Sequence, residues 1–233
     1  MQYHRRIEPI HAISFDLDDT LYENIPVMQR AEQHVADFIA KEWPQTASFD
    51  RAAWRQLRDQ VAASDPVLAS DMTALRLATL EQGMSRFGVD DVKVAAQAAM
   101  DEFLVARNQV EIAPEIHQLL ADLAAKYPLV AVSNGNADIH RIGLGDYFVA
   151  AFHPGNGLRG KPYPDMFRAA YQRLGLTHPN QLLHVGDHPI SDVHGALEFG
   201  AQAAWYVPSG HRLQTAWLPH LSIREVTALR DLL

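Results

Sequence analysis

Residues 13–22, Ile-Ser-Phe-Asp-Leu-Asp-Asp-Thr-Leu-Tyr, decide the fold expected for this chain. The stretch begins as a short apolar run, which is typical of a buried strand, and then places three carboxylates, Asp16, Asp18 and Asp19, within four positions. Two carboxylates held about 4 Å apart repel by roughly 4 kcal/mol at an effective dielectric constant of 20, so a cation or a shared proton is needed beside them. The stretch therefore predicts a strand that ends in a metal site.

Length and composition limit the possible functions. With 233 residues, 48% of them apolar, the chain can form one large domain, or a domain with a sizeable insertion, around a real core. A net charge of −8 without a Lys/Arg run argues against nucleic acid or an anionic membrane as the main partner. The chain has no cysteine, no apolar signal-peptide region and no run long enough to span a bilayer. We therefore expect a cytoplasmic protein with a small-molecule ligand and no obligate protein partner.

A block of helices follows the first strand. Apolar residues recur at spacings of three and four over residues 26–43, which predicts an amphipathic helix. Three further helices are predicted over residues 49–61, 71–87 and 90–107. Since no convincing strand lies between residues 26 and 107, we expect a four-helix insertion over residues 23–108.

Strands and helices alternate in the rest of the chain. Helices are predicted over 116–125 and 165–174, strands over 129–132, 182–185 and 203–207, and a loop over 208–219. Such alternation is typical of parallel strands with helices on both faces. We therefore predict an α/β fold, a Rossmann-like doubly wound parallel sheet formed by residues 1–22 and 109–233, interrupted by the α-helical cap domain over 23–108.

Polar residues follow the predicted strands at the edge where parallel α/β sheets bind ligands. They are Asp16 and Asp18 after the first strand, Ser133 and Asn134 after strand 129–132, Lys161 in a loop, and Asp187 and Asp192 after strand 182–185. The carboxylates suit a hard cation, and the hydroxyl, amide and ammonium groups suit an anion. Mg²⁺ with a phosphorylated small molecule fits this set best.

These residues, in this order, resemble the motifs of the haloacid dehalogenase-like phosphohydrolases. That family has Asp-x-Asp-x-Thr after the first strand, Ser or Thr after the second, then Lys, then Gly-Asp-x-x-x-x-Asp. Here they read as residues 16–20, Ser133, Lys161 and residues 186–192. One such motif alone is weak evidence, but four at the correct strand ends span nearly the whole core.

The resemblance implies a role for each residue. Asp16 would attack phosphorus to form an aspartyl phosphate, and Asp18 would protonate the leaving alcohol and then deprotonate water. Asp16, the Asp18 carbonyl and Asp187 would hold Mg²⁺. The remaining roles are phosphate contacts by Ser133 and Lys161, a turn or a secondary phosphate contact by Asn134, and a metal-water ligand or the orientation of Lys161 by Asp192.

Asp18 favours a phosphatase over a dehalogenase, since family members that release halide need no acid at this position. A haloacid dehalogenase-type hydrolase and a non-catalytic phosphate-binding regulatory module stay open as alternatives. A phosphonate hydrolase would need a Schiff-base lysine, and neither Lys41 nor Lys93 of the helical block stands in a recognised pattern.

Several stretches resemble the bacterial phosphatases that act on flavin mononucleotide (FMN) and on 5-amino-6-(5-phospho-D-ribitylamino)uracil, a riboflavin precursor. They include residues 15–22, 133–136, 143–148 and 184–187. The resemblance implies a cap that closes over the site and selects the substrate, although no residue is identified as reading a flavin or uracil ring.

Two other patterns are rejected. Residues 155–160 match the dinucleotide fingerprint Gly-x-Gly-x-x-Gly, but Lys-Pro-Tyr-Pro follows in place of a helix. His184, His188 and His194 are candidate zinc ligands by residue type, but Gly186 and Pro189 interrupt any helical spacing between them.

Overall fold

The computed structural model describes residues 1–208 and 216–233. The chain divides into two compact units, an α/β unit of Met1–Glu23 with Glu111–Leu233 and a helical unit of Asn24–Val110. The loop predicted over 208–219 falls largely on residues 209–215, which lie outside the described residues. In the described part of the chain, no helix combines the length and apolar character needed to cross a membrane.

A seven-stranded sheet forms the centre of the α/β unit. Its strands are β1 (Gln2–Tyr3), β2 (Ala12–Phe15), β3 (Leu129–Val132), β4 (Phe148–Phe152), β5 (Leu182–Gly186), β6 (Gln202–Tyr206) and β7 (Leu221–Ile223). Their order across the sheet is β1-β7-β6-β5-β2-β3-β4, and every neighbouring pair is parallel except β1 with β7. All residues of β2, β3 and β5 are buried, as expected for parallel strands covered on both faces.

Within residues 1–208 and 216–233, three α-helices accompany this sheet. They are α5 (Pro114–Ala124), α6 (Asp165–Arg173) and α7 (Gly195–Phe199). Helix α5 begins with proline, whose fixed φ suits the first helical turn. A single π-helical turn, Pro189–His194, leads from β5 into α7, and a 3₁₀ segment, Val226–Leu232, closes the chain.

The helical unit contains four α-helices. They are α1 (Asn24–Glu42), α2 (Arg51–Ser64), α3 (Met72–Arg86) and α4 (Val92–Arg107). Asp50 and Asp71 cap α2 and α3 by accepting hydrogen bonds from backbone N–H groups of the first turn, at 2.9 to 3.0 Å. Their apolar stripes form one core that includes Trp54, Met84 and Phe103.

The predicted fold class is confirmed: a doubly wound, mainly parallel sheet accompanied by an α-helical insertion. Strands β1, β4 and β7 were not expected from the sequence. β1 and β7 have only two and three residues, and the last three residues of the edge strand β4 are only partly buried. Such short or half-exposed segments lack the long apolar run by which buried parallel strands are identified.

Candidate active site

Three neighbouring strands bring the predicted residues to one edge of the sheet. Phe15 of β2 lies opposite Ala131 of β3 and Val185 of β5, so the carboxyl ends of the three strands are side by side. The backbone N–H of Asp16 extends the ladder by donating to Val185 O at 2.8 Å. Sheet register therefore fixes Asp16 beside the Gly186-Asp187 turn.

Three aspartates, Asp16, Asp187 and Asp192, form a cluster in which one carboxylate oxygen from each lies within 4.8 Å of the others. Burial raises the pKa of Asp16 against the opposing charge of Lys161, and the charges of Asp192 and Asp18 raise it further. Burial, followed by the charges of Asp192 and Asp19, raises the pKa of Asp187 to about 6. Asp16 Oδ1 is buried with no hydrogen-bond donor aligned to it. Crowded oxygen ligands, two of them with raised pKa values, fit a hard divalent cation.

Lys161 supplies a buried positive charge beside these carboxylates. Its Nζ donates to Asp192 Oδ1 at 2.6 Å and lies 3.0 Å from Asp16 Oδ1, an ion-pair contact outside hydrogen-bond alignment. Burial alone would lower the pKa of Lys161, but Asp16 and Asp192 raise it. The ammonium therefore stays charged and next to the predicted nucleophile.

Asp192 is committed to hydrogen bonds on both oxygens. Besides Lys161, its Oδ1 accepts from His184 Nε2 at 3.0 Å, and its Oδ2 accepts from the His188 backbone N–H at 2.8 Å. Burial would raise the pKa of Asp192, but Lys161 and His184 lower it on balance. A side chain at Gly186 would not fit, because its Cβ would lie 2.2 Å from Asp192 Cγ. Asp192 is thus better placed to orient Lys161 than to bind a metal directly.

His184 connects Asp192 to Ser14 of β2. From the sequence, His184 is considered only as a zinc ligand, and that role is rejected. Ser14 and His184 are register partners on β2 and β5, and Ser14 Oγ lies 2.8 Å from His184 Nδ1. Burial lowers the pKa of His184 to about 4, so the ring is neutral at pH 7. Since Asp192 can only accept, we assign the proton to Nε2, which leaves Nδ1 to accept from the Ser14 hydroxyl. Ser14 and His184 are both buried on their strands, but no sequence motif indicates that they pair.

The turn after β2 holds the second predicted catalytic aspartate. Asp18 Oδ1 accepts a 2.6 Å hydrogen bond from Tyr22, within the same turn. Asp19 adopts a left-handed conformation with φ of 55°, which Asp tolerates better than most residues. Thr20 donates to Asp187 Oδ1 at 3.3 Å, and Trp205 Nε1 donates to the Asp187 carbonyl at 2.7 Å. These bonds position Asp18 and Asp187, and neither Tyr22 nor Trp205 was identified from the sequence.

Ser133 and Asn134 follow β3, as predicted. Ser133 is buried, and its Oγ accepts from the Gly135 N–H at 3.3 Å. The Asn134 amide bridges to the backbone of Lys161: Nδ2 donates to Lys161 O at 2.8 Å, and Oδ1 accepts from Lys161 N at 2.6 Å. Asn134 therefore joins this loop to the loop that carries Lys161, while its direct contact with phosphate stays a prediction.

Comparison with known proteins gives relatives named for two reactions. Residues 10–200 match the family described as haloacid dehalogenase-like hydrolase. Among curated proteins, 5-amino-6-(5-phospho-D-ribitylamino)uracil phosphatase YigB of Escherichia coli is 37% identical over 239 residues, covering 100% of both chains. Glyceraldehyde 3-phosphate phosphatase of Methanopyrus kandleri is 24% identical, covering 82% of this chain and 81% of the relative. Among solved structures, 2-haloacid dehalogenase from Pseudomonas syringae pv. Tomato has a TM-score of 0.88 and 33% identity, covering 95% of this chain and 97% of that one.

Proposed function

This chain belongs to the haloacid dehalogenase-like hydrolases, and we propose that it is a Mg²⁺-dependent phosphatase of a small phosphorylated metabolite, with 5-amino-6-(5-phospho-D-ribitylamino)uracil as the preferred substrate and FMN as the next candidate. The observation that carries the proposal is the acid Asp18, two residues beyond Asp16, which belongs to a cluster of three aspartates. Full-length similarity to the ribitylaminouracil phosphatase supports the choice of substrate.

Asp16 is proposed as the nucleophile. Its carboxylate attacks phosphorus, the bond between phosphorus and the ester oxygen breaks, and the phosphoryl group is held as an aspartyl phosphate. The adjacent Lys161 ammonium, 3.0 Å away, balances the charge of Asp16 and is placed to hold a phosphate oxygen. Ser133 is proposed to hold another, and Asn134 fixes the backbone of Lys161.

Asp18 is proposed to move protons in both half-reactions. As an acid it gives its proton to the leaving alkoxide, and as a base it then takes a proton from the attacking water. The water oxygen bonds to phosphorus while the bond between phosphorus and the Asp16 oxygen breaks, which releases inorganic phosphate and regenerates the Asp16 carboxylate. The 2.6 Å bond from Tyr22 holds one oxygen of Asp18 in place, as a proton-transfer group requires.

Mg²⁺ is proposed to be held by Asp16, Asp187 and the Asp18 carbonyl, where it would neutralise charge on the nucleophile and on the phosphoryl oxygens. Asp192 is proposed to orient Lys161, since both of its oxygens already accept hydrogen bonds. The role of the helical unit as a substrate-selecting cap stays a prediction from the sequence.

The test is a comparison of kcat/KM, with Mg²⁺, for the ribitylaminouracil phosphate, FMN and a set of sugar phosphates. We expect a preference of about tenfold or more for the first substrate, equivalent to about 1.4 kcal/mol of transition-state binding. Equal values across the set would leave a general phosphatase, and no turnover of any phosphate would overturn the proposal.

Haloacid dehalogenation is the second candidate, because a structure at 33% identity bears that name. Asp18 speaks against it, since a departing halide needs no proton. Halide release from a 2-haloacid without added metal, at a rate above that of phosphate release, would favour this second candidate.

A further inference from the structure

The helical unit contains a cavity of about 30 Å³ bordered by α1, α2 and α3. Its charged lining residues are Glu32, Arg51, Arg55, Arg58 and Arg76. Four guanidinium groups thus surround one carboxylate, in a chain whose net charge is −8. The cavity is lined wholly by residues of the helical unit.

Glu32 is shared among three arginines. Its Oε2 accepts from Arg55 at 2.6 Å, its Oε1 accepts from Arg58 at 3.3 Å, and Arg76 lies 4.0 Å from Oε1. The exposed Asp59 is a further acceptor for Arg58, at 2.9 Å. Even with both carboxylates counted, positive charge exceeds negative charge around the cavity.

Part of this positive charge is buried, at Arg76. Its side chain is 13% exposed, and Cζ lies 3.7 Å from the centroid of the Phe103 ring. Burial lowers the pKa of Arg76 to about 10 against the attraction of Glu32, and the charges of Arg58 and Arg107 add to the decrease. A negative charge in the cavity would relieve this repulsion.

Trp54 provides a second, independent indication of a ligand. It lines the cavity and is 9% exposed, and its Nε1–H is buried without an acceptor. The ring is tightly placed, since a Cβ at Gly83 would lie 2.1 Å from it. Buried indole N–H groups usually find an acceptor, so the unmatched donor of a residue that lines the cavity indicates a missing acceptor.

We propose that this pocket binds a small anion, a single carboxylate or phosphate-type oxyanion group. Arginine forks match the paired oxygens of both groups, and Trp54 adds a neutral donor. The limited volume suits one head group. This proposal does not depend on the reaction catalysed in the α/β unit.

The test is a titration of tryptophan fluorescence at constant ionic strength with inorganic phosphate, with acetate and, as the reference salt, with chloride. We expect a saturable change with phosphate, with acetate or with both that chloride does not give, and the comparison of phosphate with acetate decides which oxyanion the pocket prefers. The change should disappear in Trp54→Phe. A part of the phosphate signal that survives in Trp54→Phe comes from elsewhere, for example from Trp205 beside Asp187, whereas a signal that survives undiminished would overturn the proposal.

Charge variants of opposite sign separate binding from a purely structural network. Arg55→Gln should weaken binding about tenfold and Glu32→Gln should tighten it about tenfold, since each changes one charge beside a partly solvated anion. Arg86→Gln is the matched control, because Arg86 is exposed on α3 and does not line the cavity. Weaker binding in both Arg55→Gln and Glu32→Gln, or no saturable change in the unaltered protein, would contradict the proposal. If Glu32→Gln does not fold, the half-exposed Arg55 decides the outcome alone.

Discussion

The α/β unit and the helical unit each contain a cluster of side chains with unbalanced charge, and the two imbalances have opposite signs. In the α/β unit, a cluster of three aspartates is accompanied by one cation, Lys161, which contacts Asp16 and Asp192. In the helical unit, four arginines line a cavity with one glutamate. Like charges are brought together in a folded protein only when something offsets their repulsion. The comparison therefore agrees with the cation proposed for the first cluster and the anion proposed for the second.

The charged side chains of the two clusters differ in their exposure to solvent. The Lys161 side chain is 1% exposed and lies between aspartates fixed by strand ends, whereas the Arg55 side chain is 47% exposed on a helix face. Exposed ion pairs are screened and contribute little, while breaking a buried pair leaves an uncompensated charge. We therefore expect substitutions in the α/β unit to have the larger effects.

The largest effect is expected from removing the nucleophile. Asp16→Asn should reduce kcat by about a thousandfold or more, because a neutral amide cannot form the acyl phosphate. Asp19→Asn makes the same chemical change three residues later and keeps a residue that tolerates φ of 55°, so it should lose less than about tenfold. Steady-state rates on an aryl phosphate with Mg²⁺ measure both, and similar rates for Asp16→Asn and the unaltered enzyme would refute the proposed role.

The next largest effect is expected from removing the buried charge of Lys161, and it should appear in the free energy of unfolding. Lys161→Met should lower the free energy of unfolding by about 3 to 5 kcal/mol, since it leaves Asp16 and Asp192 without their shared positive charge. Lys93→Met changes an exposed lysine of the helical unit and should alter it by less than about 0.5 kcal/mol. Urea unfolding measures both free energies, and equal losses would contradict the expectation that the buried charge of Lys161 contributes more to stability.

The stability of the metal-free enzyme should depend on pH through Asp187, whose pKa is raised by burial and by neighbouring carboxylates. Its pKa is raised from 3.8 to about 6, so its contribution to stability is fully present below pH 3.8 and is lost as pH rises through about 6. Mg²⁺ binds the ionised form, and at roughly ten times its Kd it should raise Tm by about 3 to 5 °C at pH 7.5 and by less at pH 5. Asp187→Asn is the control and should remove most of this difference between the two pH values. An equal increase in Tm at both pH values would argue against Asp187 as a ligand.

The smallest effect is expected from substituting Ser14, which contacts Asp192 only through His184. Ser14→Ala removes the hydroxyl that donates to His184 Nδ1 and leaves that nitrogen unmatched in the sheet, at a cost of about 1 to 2 kcal/mol. Ser85→Ala, on the exposed face of α3, should change stability by less than about 0.5 kcal/mol. Thermal or urea unfolding would detect the difference, and a neutral Ser14→Ala would show that Ser14 does not support His184.

Much of the fold could be predicted because it depends on local pattern. The apolar strands that end at Phe15, Val132 and Gly186, and the three- and four-residue spacing of the helical block, led to the α/β class with a helical insertion. The family and the enzyme class are confirmed by the comparisons. β4 and β7 were missed because strands so short or so exposed are defined by their neighbours rather than by their own composition.

The sequence by itself determined which chemical groups are present and at which strand ends they stand: the acids Asp16, Asp18 and Asp187, and the cation Lys161. Only the tertiary structure decided that Lys161 and His184 meet on one oxygen of Asp192, and that the Asn134 amide holds the Lys161 backbone. The physical reason is that hydrogen bonds between distant residues depend on strand register and loop path. Sequence spacing specifies neither, and the surplus of arginine around Glu32 is visible only once three helices share one cavity.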